Sequence, residues 1–170
     1  ADINLAEELN GKTVCIDGNG LLWHIADSTD RSQGANYRSF DRKLCEEIHD
    51  LAALELNIII FFDGPSRKMK ADTTSKRLEE EQKRWSDFYS YCQEGKKRVS
   101  KDVFPLGSLA FTQLKRSITR LGVRVVECVG EADSDIARFC RDENVKAKKE
   151  SYFAYGRDSD FFLMAECPYI

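Results

Sequence analysis

Apolar positions along the chain follow two rhythms. Residues 13–16, 57–62, 123–129 and 152–155 are short, mostly apolar runs rich in β-branched or aromatic side chains, as in strands buried on both faces of a parallel sheet. Between them the spacing changes. Leu44, Ile48, Leu51 and Leu54 recur every three or four residues, as do Leu109, Leu114, Ile118 and Leu121, and a shorter stripe of Ile136, Phe139 and Cys140 follows Gly130. Such stripes face one side of a helix, and Gly122 stands where a helix C-cap is expected. Strand alternating with helix predicts an α/β fold, a doubly wound parallel sheet flanked by helices.

Residues 67–101 interrupt this alternation. They are dense in charge, helix-forming from about Met69 to Tyr91, and end in Glu94, Gly95, Lys96, Lys97 and Arg98, a flexible basic connection. Lys70, Arg77 and Arg84 recur every seven residues, drifting only about 20° per repeat, and so form a basic stripe suited to a phosphate backbone. Glu81 shares nearly the same face, however, and Lys76 with Glu80, Arg77 with Glu81, Glu79 with Lys83 and Glu80 with Arg84 are four-apart pairs that support a solvated helix. Trp85, Phe88, Tyr89 and Tyr91 have the π-faces to stack on bases, but Trp85, Phe88 and Tyr89 at helical spacing read first as a packing seam.

The 170 residues suffice for one buried core, and the charged fraction of 32% is mixed in sign, which excludes disorder. A net charge of −3 argues against a general nucleic-acid coat, so any phosphate contact must be local. Cys15, Cys45, Cys92, Cys128, Cys140 and Cys167 form no Cys-x-x-Cys pair and read as reduced, buried thiols of an intracellular protein. His24 and His49 are far apart and read as ordinary helix or core positions. No stretch is long and apolar enough to span a bilayer. The start at Ala1 and the stop at Pro168, Tyr169 and Ile170, just after an apolar run, predict a chain cut at both ends.

Each of the four runs delivers acid to the edge where parallel strands end, which is where such sheets bind ligands. The first ends at Asp17, the second at Asp63, the third leads through Gly130 to Glu131 and Asp133, and the fourth through Gly156 and Arg157 to Asp158 and Asp160. Crowded carboxylates need a counter-charge. Oxygen-only donors favour a hard cation such as Mg²⁺ or Mn²⁺, and two such ions about 3.5–4 Å apart suit phosphodiester hydrolysis. Any one of these acids alone is equally an ordinary turn or cap residue; it is their joint placement that points to a site. Glu131 and Asp133 share it only if Glu131 precedes the helix, because residues two apart on a helix point about 200° away from each other.

The segments Ile16-Asp17-Gly18-Asn19, Phe62-Asp63-Gly64, Val129-Gly130-Glu131-Ala132-Asp133 and Arg157-Asp158-Ser159-Asp160-Phe161 resemble, in order, the acidic motifs of the flap endonuclease and XPG-like nucleases. The stretch from Cys128 to Ala137 and the Asp158 motif are most similar to the Asteroid branch. The resemblance implies a PIN-like fold over residues 1–170 with a helical arch insertion at 67–101. It implies that Asp17, Asp63, Glu131, Asp133, Asp158 and Asp160 hold two Mg²⁺ ions, for which Mn²⁺ substitutes, and that Lys70 and Arg77 project toward the scissile phosphate. Arg84, Lys96, Lys97 and Arg98 join Lys70 and Arg77 as nucleic-acid contacts. The family's processed N-terminal glycine segment would precede Ala1, and a further metal-site aspartate and a duplex-gripping helix-hairpin-helix would follow Ile170.

The expected function is therefore a divalent-metal-dependent endonuclease acting on DNA at flaps or other single/double-strand junctions, with RNA as an alternative substrate and the nucleus as the expected location. A nuclease-derived binding or regulatory module is the alternative, since the Asteroid branch is less uniformly a nuclease than its relatives. A small-molecule phosphohydrolase is disfavoured by the lack of an Asp-x-Asp pair at the first strand.

Overall fold

Successive side chains of the first strand enter two different cores. In the computed structural model, which describes residues 9–29, 36–64, 71–95 (without the side chains of 71–74 and 77), 106, 109–156, 161, 164 and 167–168, Val14 and Ile16 pack on one face of the sheet and Cys15 on the other. This strand, β1 (Thr13–Asp17), is followed by α1 (Gly18–Asp27), α2 (Tyr37–Ala53), β2 (Asn57–Phe62), α3 (Ala71–Gln93), α4 (Ala110–Arg120), β3 (Arg124–Glu127), α5 (Ala132–Ala147) and β4 (Tyr152–Tyr155).

Among the described residues four strands form one parallel sheet in the order β3-β2-β1-β4. Thr13 lies beside Asn57 and Tyr152, and Asp17 beside Phe61. The chain first steps outward from β1 to β3 and then returns past β1 to β4. Because such crossovers are right-handed, the reversal sends the last helix to the opposite face. The packing agrees: α1, α2 and α4 cover the core of Val14, Ile16, Ile60 and Phe62, whereas Ile136 and Cys140 of α5 close the core of Cys15, Ile59, Phe61 and Ala154. Leu44, Leu114 and Ile136 are fully buried, each contributing about 1.5–3 kcal/mol relative to exposure. The expected doubly wound sheet flanked by helices is the fold observed.

The predicted elements are present with three differences. Helix α1 falls where only a turn was read after Asp17. The third strand is confined to Arg124–Glu127 at the sheet edge; beyond it Cys128 turns inward while Val129 is 81% exposed. The thiols are not uniformly buried either: Cys15, Cys128 and Cys140 are, Cys45 and Cys167 are half-buried, and Cys92 is exposed. Cys92 sits on α3, none of whose described side chains is fully buried. Gly122, with φ of 73°, ends α4 as expected. Among the described residues no helix is long and apolar enough to cross a membrane.

Candidate metal centre and nucleic-acid face

Helix α1 starts on the residue that ends β1. Asp17 has extended backbone (φ −69°, ψ 119°) and caps the helix, one carboxylate oxygen accepting from Asn19 N at 3.0 Å and the other from Gly20 N at 2.8 Å. A cap of this kind satisfies donors that an opening helix turn leaves unpaired. Gly18 lies directly on Phe62, and a Cβ there would stand 2.3 Å from the ring. Only glycine lets α1 open so close to the end of β2.

Asp63, the residue after β2, binds the neighbouring elements on both sides. Its Oδ2 accepts from Asn19 Nδ2 at 2.5 Å, and its Oδ1 accepts from the Ala132 backbone N–H at 2.7 Å. Ala132 is the first residue of α5, whose own N-cap residue, Glu131, makes no side-chain cap hydrogen bond. The carboxylate at that helix start thus comes from another strand, where the helix dipole favours it. The same junction is closed by Gly64 N donating to Gly130 O at 2.8 Å and Cys128 N to Phe62 O at 2.9 Å. A Cβ on Gly64 would meet the Cys128 carbonyl oxygen at 2.0 Å.

The ends of β1 and β2 and the start of α5 therefore form one rim bearing Asp17, Asp63, Glu131 and Asp133. Glu131 is extended (φ −77°, ψ 137°) and stands before the first helical turn, so the condition for Glu131 and Asp133 to share a site is met. Negative charge concentrates beneath them. The buried Cys128 thiol is pushed up to about 12, first by desolvation, then by its hydrogen bond to Asp135 and the charges of Asp135, Asp63 and Asp17. The histidines stand apart, His24 pairing with Glu47 at 3.0 Å and His49 exposed on α2.

The remaining sequence-predicted residues divide as follows. Asp158, Asp160, Lys70, Lys96, Lys97 and Arg98 lie outside the described residues, as does the side chain of Arg77, whose backbone belongs to α3. Of the residues on either side of Asp158 and Asp160, β4 ends beside Ile16, and Phe161 is buried with Cys15 and Phe61. Arg84 of α3 stacks over the indole of Trp23 on α1, 6.0 Å from the ring centroid. Trp85, Phe88 and Tyr89 touch one another with centroids 6.0–6.2 Å apart, but Tyr89 is 61% exposed and the three rings belong to neither core, so the expected packing seam against the sheet is not what they form.

Among the described residues no three carboxylate, thiol or imidazole groups converge closely enough to hold a metal ion. The donor chemistry fits a hard divalent cation to this extent: the acids carried by the ends of β1 and β2 and the start of α5 offer oxygen donors, and both histidines stand away from them. Asn19 and Trp23 were not singled out in the sequence. An amide two residues after a capping aspartate, and a large aromatic side chain one helical turn further on, were the available signals.

The parallel sheet flanked by helices is an α/β fold of the PIN-like type. Residues 3–84 match the XPG N-terminal domain family, and the resemblance read from the acidic motifs stands. The catalytic core of Rad2 in complex with DNA substrate superposes with a TM-score of 0.61 at 18% identity, covering 93% of this chain and 44% of that one. Human GEN1 in complex with Holliday junction DNA gives 0.53 at 16% identity, covering 94% and 35%. The constitutive coactivator of peroxisome proliferator-activated receptor gamma of Bos taurus is 24% identical over 161 residues, which span 92% of this chain and 22% of that protein. The chain thus spans less than half the length of each of these relatives.

Proposed function

We propose that this chain is the acidic core of a divalent-metal-dependent, structure-specific endonuclease that hydrolyses DNA phosphodiester bonds at flaps or other single/double-strand junctions. The observation that carries the reading is Asp63, which joins the first turn of α1 beside Asp17 to the start of α5 beside Glu131 and Asp133. The Rad2 and GEN1 structures of like fold hold DNA, which supports the choice of substrate.

In this reading Asp17, Asp63, Glu131, Asp133, Asp158 and Asp160 hold two Mg²⁺ ions, or Mn²⁺ in their place. When bound, the ions supply an activated water and stabilise the leaving oxygen. The N-terminus of α5 orients acidic side chains toward the rim and favours anionic phosphate beside it. Lys70 and Arg77 offset charge on the transferring phosphate, and Arg84, Lys96, Lys97 and Arg98 track the backbone. Residues 1–170 act as one nuclease core with 67–101 as its arch, in the nucleus.

One observation favours a second reading, a nuclease-fold binding or regulatory module: the relative matched over 92% of this chain is a coactivator by name. Cleavage separates the two. Full-length protein incubated with Mg²⁺ or Mn²⁺ is expected to cut flap and splayed-arm DNA, and Asp160→Asn to abolish cutting while DNA binding persists. Binding without metal-dependent cleavage by the unmodified protein rejects the enzyme in favour of the module; cutting of RNA flaps alone reassigns the substrate.

A further inference from the structure

We propose that Asn19 is a positioning residue for the cation site, holding Asp63 in register with Asp17 and thereby setting metal affinity; the inference rests on the metal-dependent reading above. Backbone N–H groups hold both carboxylates, those of Asn19 and Gly20 on Asp17 and that of Ala132 on Asp63. Those donors belong to the opening turns of α1 and α5 and move only with the helices. The Asn19 side-chain amide on Asp63 Oδ2 is of another kind, since a side-chain torsion alone can change it.

Asn19 thus touches both acids at once, Asp17 through its backbone and Asp63 through its side chain. It stands 44 positions from Asp63 in the chain, so the contact is a tertiary one that fixes one strand end against its neighbour. Gly18 resting on Phe62 brings the backbone of Asn19 within reach of that second acid.

The chemistry of the side chain matters. A lysine here would neutralise Asp63 permanently and compete with a cation, an aspartate would repel it, and a serine is too short to span the gap. Asparagine places a neutral donor on the carboxylate when no cation is present. It also carries a carbonyl oxygen on the same carbon, which hard cations coordinate and to which their bound waters donate. Partners that orient metal-binding groups in this way typically change metal affinity by about 10- to 100-fold when removed.

The test is Mn²⁺ binding to the full-length protein without DNA, read by calorimetry or by loss of the free-ion paramagnetic resonance signal, with the thermal midpoint recorded for every variant. Asn19→Ala is expected to weaken Mn²⁺ by about 10- to 100-fold, with the metal-free midpoint lowered only as far as the loss of one exposed hydrogen bond lowers it. Asn19→Gln, which keeps an amide, is expected to recover part of the loss. Asn36→Ala removes the cap of α2, where Asn36 accepts from Ser39 N at 3.2 Å, and is expected to lower the midpoint without changing Mn²⁺ affinity. Should Asn19→Ala not fold, Asn19→Ser replaces it, keeping the backbone bond to Asp17 without reaching Asp63. Unchanged affinity in the Asn19 variants, with the unmodified protein binding Mn²⁺, overturns the role of Asn19 and leaves the nuclease reading in place. Failure of the unmodified protein to bind Mn²⁺ overturns both.

Discussion

Gly64 shows how little freedom single positions at the rim have. The end of β2 passes so close to the turn before α5 that a methyl group on Gly64 would overlap the Cys128 carbonyl oxygen at 2.0 Å and the Val129 carbonyl carbon at 2.7 Å. Both are backbone atoms, so no rotamer change relieves the clash. Gly64→Ala is expected to lose about 1–3 kcal/mol from overpacking, together with the Gly64 N to Gly130 O bond, and denaturant unfolding measures it. An unchanged midpoint would mean that the loop yields. In the sequence the same glycine reads as the second half of an Asp-Gly turn, and Asp63 as its first half. Asp17 and Asp63 are at once capping residues and candidate ligands, because a carboxylate placed at a helix start serves either purpose. The two readings do not compete in space, and the residue type alone could not separate them.

Among the elements, α1 was hidden by its own beginning. Gly18 and Gly20 occupy its first turn, and each costs about 1 kcal/mol against alanine within a helix. Local preference therefore favours a turn, and what overrides it is tertiary: the Asp17 cap and the contact of Gly18 with Phe62. The third strand was overextended for a related reason, since an edge strand gives up its pairing as soon as the chain must turn into the next helix, whatever its apolarity. Helix α3 was legible in its extent, from about Met69 to Tyr91 against Ala71–Gln93, but its anchorage was not. Arg84 lies over the ring of Trp23, and such a contact at an exposed site is worth about 0.5–1 kcal/mol. Arg84→Ala is therefore expected to speed amide hydrogen exchange along α3 by about 2- to 5-fold while β1 and β2 keep their protection. Exchange unchanged in α3 would show that Trp23 does not hold it.

At the scale of the whole molecule, the order β3-β2-β1-β4 brings distant acids to one edge. The alternation of runs predicts parallel strands, and parallel strands end on the same side. Which strands are neighbours is not written in that alternation; it follows from the reversal that carries the chain from β3 back past β1. That reversal sets β1, which ends at Asp17, between the strand leading to Asp63 and the strand leading to Asp158 and Asp160. A cation that binds this rim binds only the folded chain, so it must stabilise it. At a free concentration of about 100 times the dissociation constant the gain is about 2.7 kcal/mol, which at about 2–4 °C per kcal/mol for a chain of this size raises the thermal midpoint by about 5–11 °C. Asp17→Asn tests the origin of that shift. Asparagine caps helices about as well as aspartate, so the metal-free midpoint is expected to stay nearly constant while most of the Mn²⁺-induced rise disappears. Thermal melts in Mn²⁺ and in chelator measure both quantities, and an equal rise in the two proteins would place the cation away from the sheet edge.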